Sequence, residues 1–292
     1  VGAWDIFPLL NIPLYYLPQA WGPFNTPEGR RLGDRVVGGA KMVFARDSHS
    51  YQCLRELPSF SENKVYLASD IAFTFRGAPP AVGLDLLEEL GCVPDGGPLI
   101  GIVPNMRVYE RTPRQGQDNI YLQCLCAVVD YFIQQHSARI VLMPHEIRPS
   151  HSPVRDDRYL CQVLAQAVAQ PQHVFPLLGE YSAEQLKSLI GHLDLIVSSR
   201  FHSIIAALSL RRPVVAVSWS HKYPELLQSV GLGEFTSSHQ ELNPSALVSL
   251  CTRVWAERQH LTALLKQHVP EHERSAESVL HTVAERIRHA GS

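Results

Sequence analysis

Short β-branched runs alternate along this chain with longer stretches in which apolar residues recur at helical spacing. The runs read as strands at Ile12 to Leu17, Lys41 to Ala45, Lys64 to Leu67, Leu99 to Val103, Arg139 to Met143, His173 to Pro176, Asp194 to Ser198 and Pro213 to Ser218. Between them, Asp118 to Gln135 puts Leu122, Leu125, Val129, Phe132 and Ile133 on one helical face, and Asp156 to Ala169 reads as a second helix. Such alternation predicts parallel sheets joined by crossover helices, an α/β fold. From Asn243 to His289 the strand signal stops, and the pattern predicts helices broken at Pro270.

At 292 residues the chain is too long for one small core. The punctuation Gly91-Cys-Val-Pro-Asp-Gly-Gly-Pro98 marks a seam, which divides the chain into Rossmann-like lobes at 1–93 and 94–292. The first lobe reads as incomplete, because nothing before Ile12 supplies an opening strand, Gly-containing turn and helix. Gly38-Gly39 reads as a turn, with no phosphate-loop pattern around it.

Composition then narrows the function. Apolar residues make up 45% and charged residues 18%, the profile of a globular protein. A formal charge of −2 gives no broad basic field, which argues against nucleic acid; a bound anion should be small and held locally. The six cysteines form no C-x-x-C pair and lie mostly in apolar stretches, as buried free thiols do in a reducing compartment. No run approaches the ~20 apolar residues of a membrane span, and no basic-then-apolar leader is visible, although the chain begins at Val1.

Loops leaving the carboxyl ends of parallel strands share one edge, and that edge binds ligands. Successive exits here carry Asn105 and Arg107, His145 and Glu146, Glu180 and Tyr181, Arg200 and His202, and His221 and Lys222. The sharpest segment, Asp194-Leu-Ile-Val-Ser-Ser-Arg-Phe-His202, runs from a buried strand through a two-serine turn into an apolar helix. Arg200 and His202 fall at that helix start, where unpaired N–H groups and the dipole favour an anion. Arg200 adds a fork suited to phosphate or carboxylate, His202 a proton source near neutral pH, and Lys222 arrives from the next strand. An Arg at a helix start is more often a surface residue, and a lone His more often structural; their convergence with Lys222 is what favours function. His145, Glu146 and His151 lack helical spacing and a third ligand, so no metal is expected. Asp156 and Asp157 most simply begin a helix.

These residues, with their surroundings, resemble the polysaccharide pyruvyl transferase family. The resemblance is densest in Asp194 to His202 followed by Arg212-Pro-Val-Val-Ala-Val-Ser-Trp-Ser-His-Lys222, similar to the family's R-x-H turn and downstream strand-lysine segment. Tyr16-Leu-Pro-Gln-Ala-Trp-Gly-Pro-Phe24, Phe44-Ala-Arg-Asp-Ser-His-Ser50 and Leu67-Ala-Ser-Asp70 resemble its Gln-x-x-Gly-Pro turn, its Arg-acid-x-x-Ser turn and its strand ending in Asp. Trp219 stands where many relatives carry Tyr, and the family's opening strand and Gly-rich loop are absent. The resemblance implies a fold like that of two-lobed GT-B glycosyltransferases, with 1–93 on the acceptor side and 94–292 carrying the anion-binding donor site and the helical tail. It implies transfer of the pyruvyl group of phosphoenolpyruvate, a co-substrate with no further cofactor, onto sugar hydroxyls of a cell-surface or exopolysaccharide precursor. His202 and Arg200 are then expected to be catalytic, and Lys222, Arg107, Asn105, His145, Glu180, Ser199 and Arg46 to bind substrate. The expected setting is cytoplasmic, either unattached or peripheral to the inner membrane face, with a saccharide acceptor that is free or lipid-linked. Two other readings are a nucleotide-sugar glycosyltransferase, with Glu180 near the acceptor, and a non-catalytic saccharide-binding module.

Overall fold

A computed structural model describes residues 12–92, 96–113, 115–149 and 155–290. The chain forms two compact units, Val1–Phe75 with Pro270–Ser292, and Arg76–Val269.

The first unit carries a parallel sheet of β1 (Tyr15–Gln19), β2 (Met42–Ala45) and β3 (Val65–Leu67), in that order. β1 lies further along the chain than Ile12 to Leu17, and Pro13 has no N–H to give a ladder. The crossovers are α1 (Pro27–Gly39) and α2 (Ser48–Arg55). Thr26 accepts from the Gly29 N–H and Pro27 supplies a preset φ, so α1 starts there. Gly38 and Gly39 form its last residues rather than a separate turn. Alternation along β2 sends Val43 and Ala45 into a core with Trp21, Val37, Leu54 and Val65, and Met42 and Phe44 against Val279 of the tail.

The second unit begins with α3 (Pro80–Glu89) and holds β4 (Leu99–Val103), β5 (Arg139–Leu142), β6 (Val174–Pro176), β7 (Leu195–Ser198), β8 (Val214–Ser218) and β9 (Thr236–Ser238). The six strands are parallel in the order β6-β5-β4-β7-β8-β9. The connections carry α4 (Met106–Arg111), α5 (Ile120–His136), α6 (Asp157–Ala167), α7 (Ala183–Ile190), α8 (Phe201–Ser209) and α9 (Lys222–Ser229). β4, β5, β7 and β8 are buried throughout, which is why they read as continuous apolar runs. β9, a Thr-Ser-Ser strand at the sheet edge, has no such run and escaped the pattern.

The boundary at Phe75/Arg76 precedes the Gly91-to-Pro98 punctuation because α3 belongs to the second unit. The Ser188 hydroxyl of α7 accepts from the Gly83 N–H at 3.0 Å and donates to the Pro79 carbonyl at 2.8 Å. A Cβ at Gly83 would stand 2.7 Å from the Ser188 carbonyl oxygen, so this close approach requires glycine. The tail is one helix, α10 (Pro244–Ala290), that continues through Pro270 rather than breaking. An interior proline costs about 3 kcal/mol. Buried Leu261, Leu265 and Val269 before it, and Ala276 and Val279 after it, hold both sides; each large apolar side chain contributes roughly 1.5–3 kcal/mol, so burial exceeds the cost.

In the second sheet the chain winds one way from β4 to β5 and β6, and the other way from β7 to β8 and β9. The exits of the adjacent strands β4 and β7 therefore diverge, and the crevice between them is the position where such sheets bind ligands.

Candidate active site

The β7 exit is Ser198-Ser199-Arg200. The Ser198 hydroxyl accepts from the Arg200 N–H at 2.9 Å and lies 2.6 Å from the Ser203 hydroxyl, which fixes the turn into α8. Arg200 is the N-cap residue and gives no side-chain cap to the first turn of α8, which holds no acidic residue of its own. His202, in that turn, is exposed.

The Arg200 side chain turns inward. It is 7% exposed, with Nη1 donating to Glu146 Oε2 at 2.8 Å and Nη2 to Asp157 Oδ1 at 2.6 Å. Burial by itself would lower its pKa, but the Asp157 and Glu146 carboxylates outweigh that and raise it. Asp157, fully buried, ties three strand exits together. Its Oδ1 also accepts from the Met106 N–H at 3.0 Å after β4, and its Oδ2 accepts from His145 and Glu146 N–H at 3.1 and 2.8 Å after β5. The preceding Asp156 caps α6 and pairs with buried Arg158. A helix start needs only one capping carboxylate, so the second Asp was the available signal of a further role.

Glu146 is shared among guanidiniums: Arg200 at 2.8 Å, Arg107 at 3.4 Å and Arg148. Burial pushes its pKa up, but the hydrogen bond and charge of Arg200, with Arg107, prevail and hold it below the ordinary carboxylate value. Three guanidiniums against the carboxylates of Glu146 and Asp157 leave one positive charge in excess. Arg107 is 43% exposed in its side chain and so can meet a ligand.

The His145 and His202 rings stack with centroids 6.2 Å apart and planes 18° apart. Crowding by protein atoms, then the charges of Arg200 and His202, push the His145 pKa down to about 4. His145 is therefore neutral near pH 7. Lys222, at the first position of α9, places its Nζ 4.9 Å from the Phe201 ring centroid, 5.0 Å from Trp219 and 5.6 Å from Tyr223. This aromatic setting draws the ammonium to the start of α8.

Two expected ligand groups instead form the scaffold. Asn105 is fully buried, its Oδ1 accepting from the Arg107 N–H at 2.9 Å and its Nδ2 donating to the Ser199 carbonyl at 2.8 Å. That carbonyl also accepts from Trp219 Nε1 at 3.2 Å and the Tyr223 hydroxyl at 2.9 Å, while the Ser199 hydroxyl meets that of Tyr121 at 2.7 Å. Glu180, at the β6 exit, is 69% exposed and 4.0 Å from Arg158. The structure thus brings together Arg107, His145, Arg200, His202 and Lys222, with Asn105 and Ser199 behind them. His151 lies outside the described residues. Arg46 belongs to the first unit, where it pairs with Asp70 at 2.9 Å, beside the turns formed by Trp21 and Asp47.

The family model for polysaccharide pyruvyl transferase matches residues 3–221. The amylovoran biosynthesis protein AmsJ of Erwinia amylovora is 22% identical over 242 residues, 82% of this chain and 57% of that protein, so the chain spans little more than half that relative's length. The UDP-GlcNAc 2-epimerase of Neisseria meningitidis, solved with UDP-GlcNAc, superposes with a TM-score of 0.63 at 13% identity over 97% of this chain and 72% of that one. HepE of Anabaena, solved with UDP-glucose, gives 0.60 at 16% identity over 98% and 75%. These likenesses establish the fold, α/β with parallel sheets of the GT-B-like kind. Among the described residues no helix is long and apolar enough to cross a membrane.

Proposed function

The chain belongs to the polysaccharide pyruvyl transferase family, and from that premise we propose that it moves the pyruvyl group of phosphoenolpyruvate onto two hydroxyls of a sugar in a polysaccharide precursor. The products are a cyclic pyruvate ketal and phosphate. The observation that supports this is the excess of cationic groups over carboxylates at the switch point, with an exposed imidazole in the first turn of α8, which holds no acidic residue. The donor carries a phosphate and a carboxylate, which match Arg107, Lys222 and the backbone of α8. Arg200 is a positioning residue in this reading, since both its Nη atoms are engaged by carboxylates.

His202 delivers a proton to the methylene carbon, which becomes the methyl group, and positive charge develops on the central carbon. One sugar hydroxyl adds there and gives up its proton, which returns to the imidazole. The second hydroxyl then forms the other carbon–oxygen bond as the bond to phosphate oxygen breaks, and its proton leaves with phosphate. The free thiols support a reducing, cytoplasmic setting, and the acceptor is free or lipid-linked.

Phosphate release from phosphoenolpyruvate in the presence of saccharide acceptors tests the proposal. His202→Gln is expected to lower turnover far more than donor affinity; equal turnover removes it from the mechanism. Because the neighbouring fold in HepE was solved with UDP-glucose, thermal stabilisation by UDP-glucose and not by phosphoenolpyruvate would favour glycosyl transfer instead.

A further inference from the structure

A second cleft opens in the same unit, at the exits of β8 and β9. It has a volume of about 520 Å³ and is lined by Trp219, Ser220 and His221 on one side and Thr236, His239 and Glu241 on the other. That volume lies within the roughly 300–1,000 Å³ of small-molecule sites. The edges are tied together: the His239 N–H donates to the Ser218 carbonyl at 2.8 Å, and the Ser218 hydroxyl to the Ser220 carbonyl at 2.8 Å.

The side-chain hydroxyls of Ser220 and Thr236 are shut off from solvent with no hydrogen-bond partner among the described residues. Buried hydroxyls are normally partnered, and an orphan asks for an explanation. Both residues line the cleft, so a ligand there, with a change of rotamer at either residue, can supply the missing partner. Among the described residues the lining holds no Lys or Arg, while Glu241 brings a carboxylate. An anion is therefore disfavoured, and an apolar ligand would leave these donors and acceptors unmet. A neutral ring bearing several hydroxyls suits all of them, since each sugar hydroxyl both donates and accepts.

We infer that this cleft is a subsite for a neutral sugar residue of the acceptor glycan. It adjoins the donor site: β8 lies beside β7, Trp219 lines the cleft and donates to the Ser199 carbonyl just before Arg200, and Lys222 follows His221 directly. Identifying the ring as acceptor rests on the transfer reaction proposed above, whereas occupation of the cleft by a sugar does not.

The test is saturation-transfer NMR and calorimetry on the whole chain with methyl glycosides of neutral hexoses and N-acetylhexosamines, with uridine and phosphoenolpyruvate as separate probes. At least one glycoside is expected to bind at millimolar concentration. Thr236→Val and Ser220→Ala should weaken it about three- to tenfold, and Glu241→Gln about tenfold, with phosphoenolpyruvate affinity unchanged. The two hydroxyl deletions should leave the unfolding temperature unchanged or raise it, because they remove orphaned groups; lost binding without lost stability separates a ligand role from a structural one. Binding of no glycoside, glycoside binding indifferent to all three substitutions, or uridine bound instead and weakened by them, would overturn the subsite. Failure of phosphoenolpyruvate to bind while the glycoside results hold would defeat only the transfer reading.

Discussion

Asp157→Asn removes one charge and replaces one acceptor by a donor at the point where three strand exits meet. The carboxylate accepts four hydrogen bonds, at 3.0, 2.6, 3.1 and 2.8 Å, from Met106, Arg200, His145 and Glu146. An asparagine keeps one oxygen. If that oxygen serves the His145 and Glu146 amides, the NH₂ faces the Met106 N–H and the Arg200 fork, donor against donor. Losing the charge-assisted bond is worth about 1.5–3 kcal/mol, and leaving a buried N–H unmet about 1–3 kcal/mol. The sum, about 2.5–6 kcal/mol, brackets the cost of about 3–5 kcal/mol for breaking a buried ion pair from one side. Set against a typical stability of about 5–15 kcal/mol, that is a large loss. Urea unfolding followed by tryptophan fluorescence measures it, and amide exchange at Met106, His145 and Glu146 locates it. Combining Asp157→Asn with Arg200→Met should cost less than the two singles together by about 1.5–3 kcal/mol. Destabilisation under about 1 kcal/mol with protection at those three amides intact would refute the argument that Asp157 joins the exits.

Three further outcomes are expected. Lys222→Met keeps the apolar stem against Phe201, Trp219 and Tyr223, so stability should change by no more than about 1 kcal/mol while phosphoenolpyruvate affinity falls about tenfold; unchanged affinity by calorimetry would exclude the ammonium from the donor site. His145, with its pKa pushed down to about 4 from 6.5, should stay neutral at pH 5.5 in ring-resolved NMR. Its contribution to stability is complete above pH 6.5 and is lost as pH falls towards 4; a titration midpoint at or above 6.5 would contradict the stacked, crowded geometry. Glu146, held below its ordinary value of 4.5, contributes stability that is present above that value and lost as pH falls through its depressed pKa. Glu146→Gln should flatten that acid limb, and an acid limb identical to the parent's would show that the guanidiniums do not act through it.

Much of the fold was legible because the central strands are buried on both faces and so announce themselves as apolar runs, Leu99–Val103 and Val214–Ser218 most plainly. β9 was hidden because an edge strand of Thr and Ser needs no apolar run. Pro270 misled because local propensity favours a break, while burial on either side of it is a tertiary effect. The site was legible as a set of strand exits, since that follows from topology alone. What the exits do was not. Side chains leaving one turn point outward or inward according to backbone angles that residue type does not disclose, so Arg107 faces solvent while Asn105 and Ser199 face the core. Asp157 reaches Arg200 across 43 residues of sequence, a contact that no local spacing announces.

The inward turn of Arg200 changes how the site attracts an anion. A buried guanidinium between two carboxylates has its charge largely balanced, so the attraction at the crevice comes from the groups around it: Arg107, Arg148, Lys222 and the start of α8. Glu146 is the common counter-ion of three of these guanidiniums. In the proposed reaction a donor phosphate would take its place on Arg107 and Arg148, which are 43% and 42% exposed in their side chains, but not on Arg200, which is 9% exposed there. Donor binding on that proposal would exchange one set of charge-assisted bonds for another at the rim while the Arg200–Asp157 pair keeps the β4, β5 and β7 exits in register. The residue that the R-x-H turn makes most conspicuous is then the fixed frame, and the imidazole two positions later is the exposed group to which the proposed reaction gives the proton transfer.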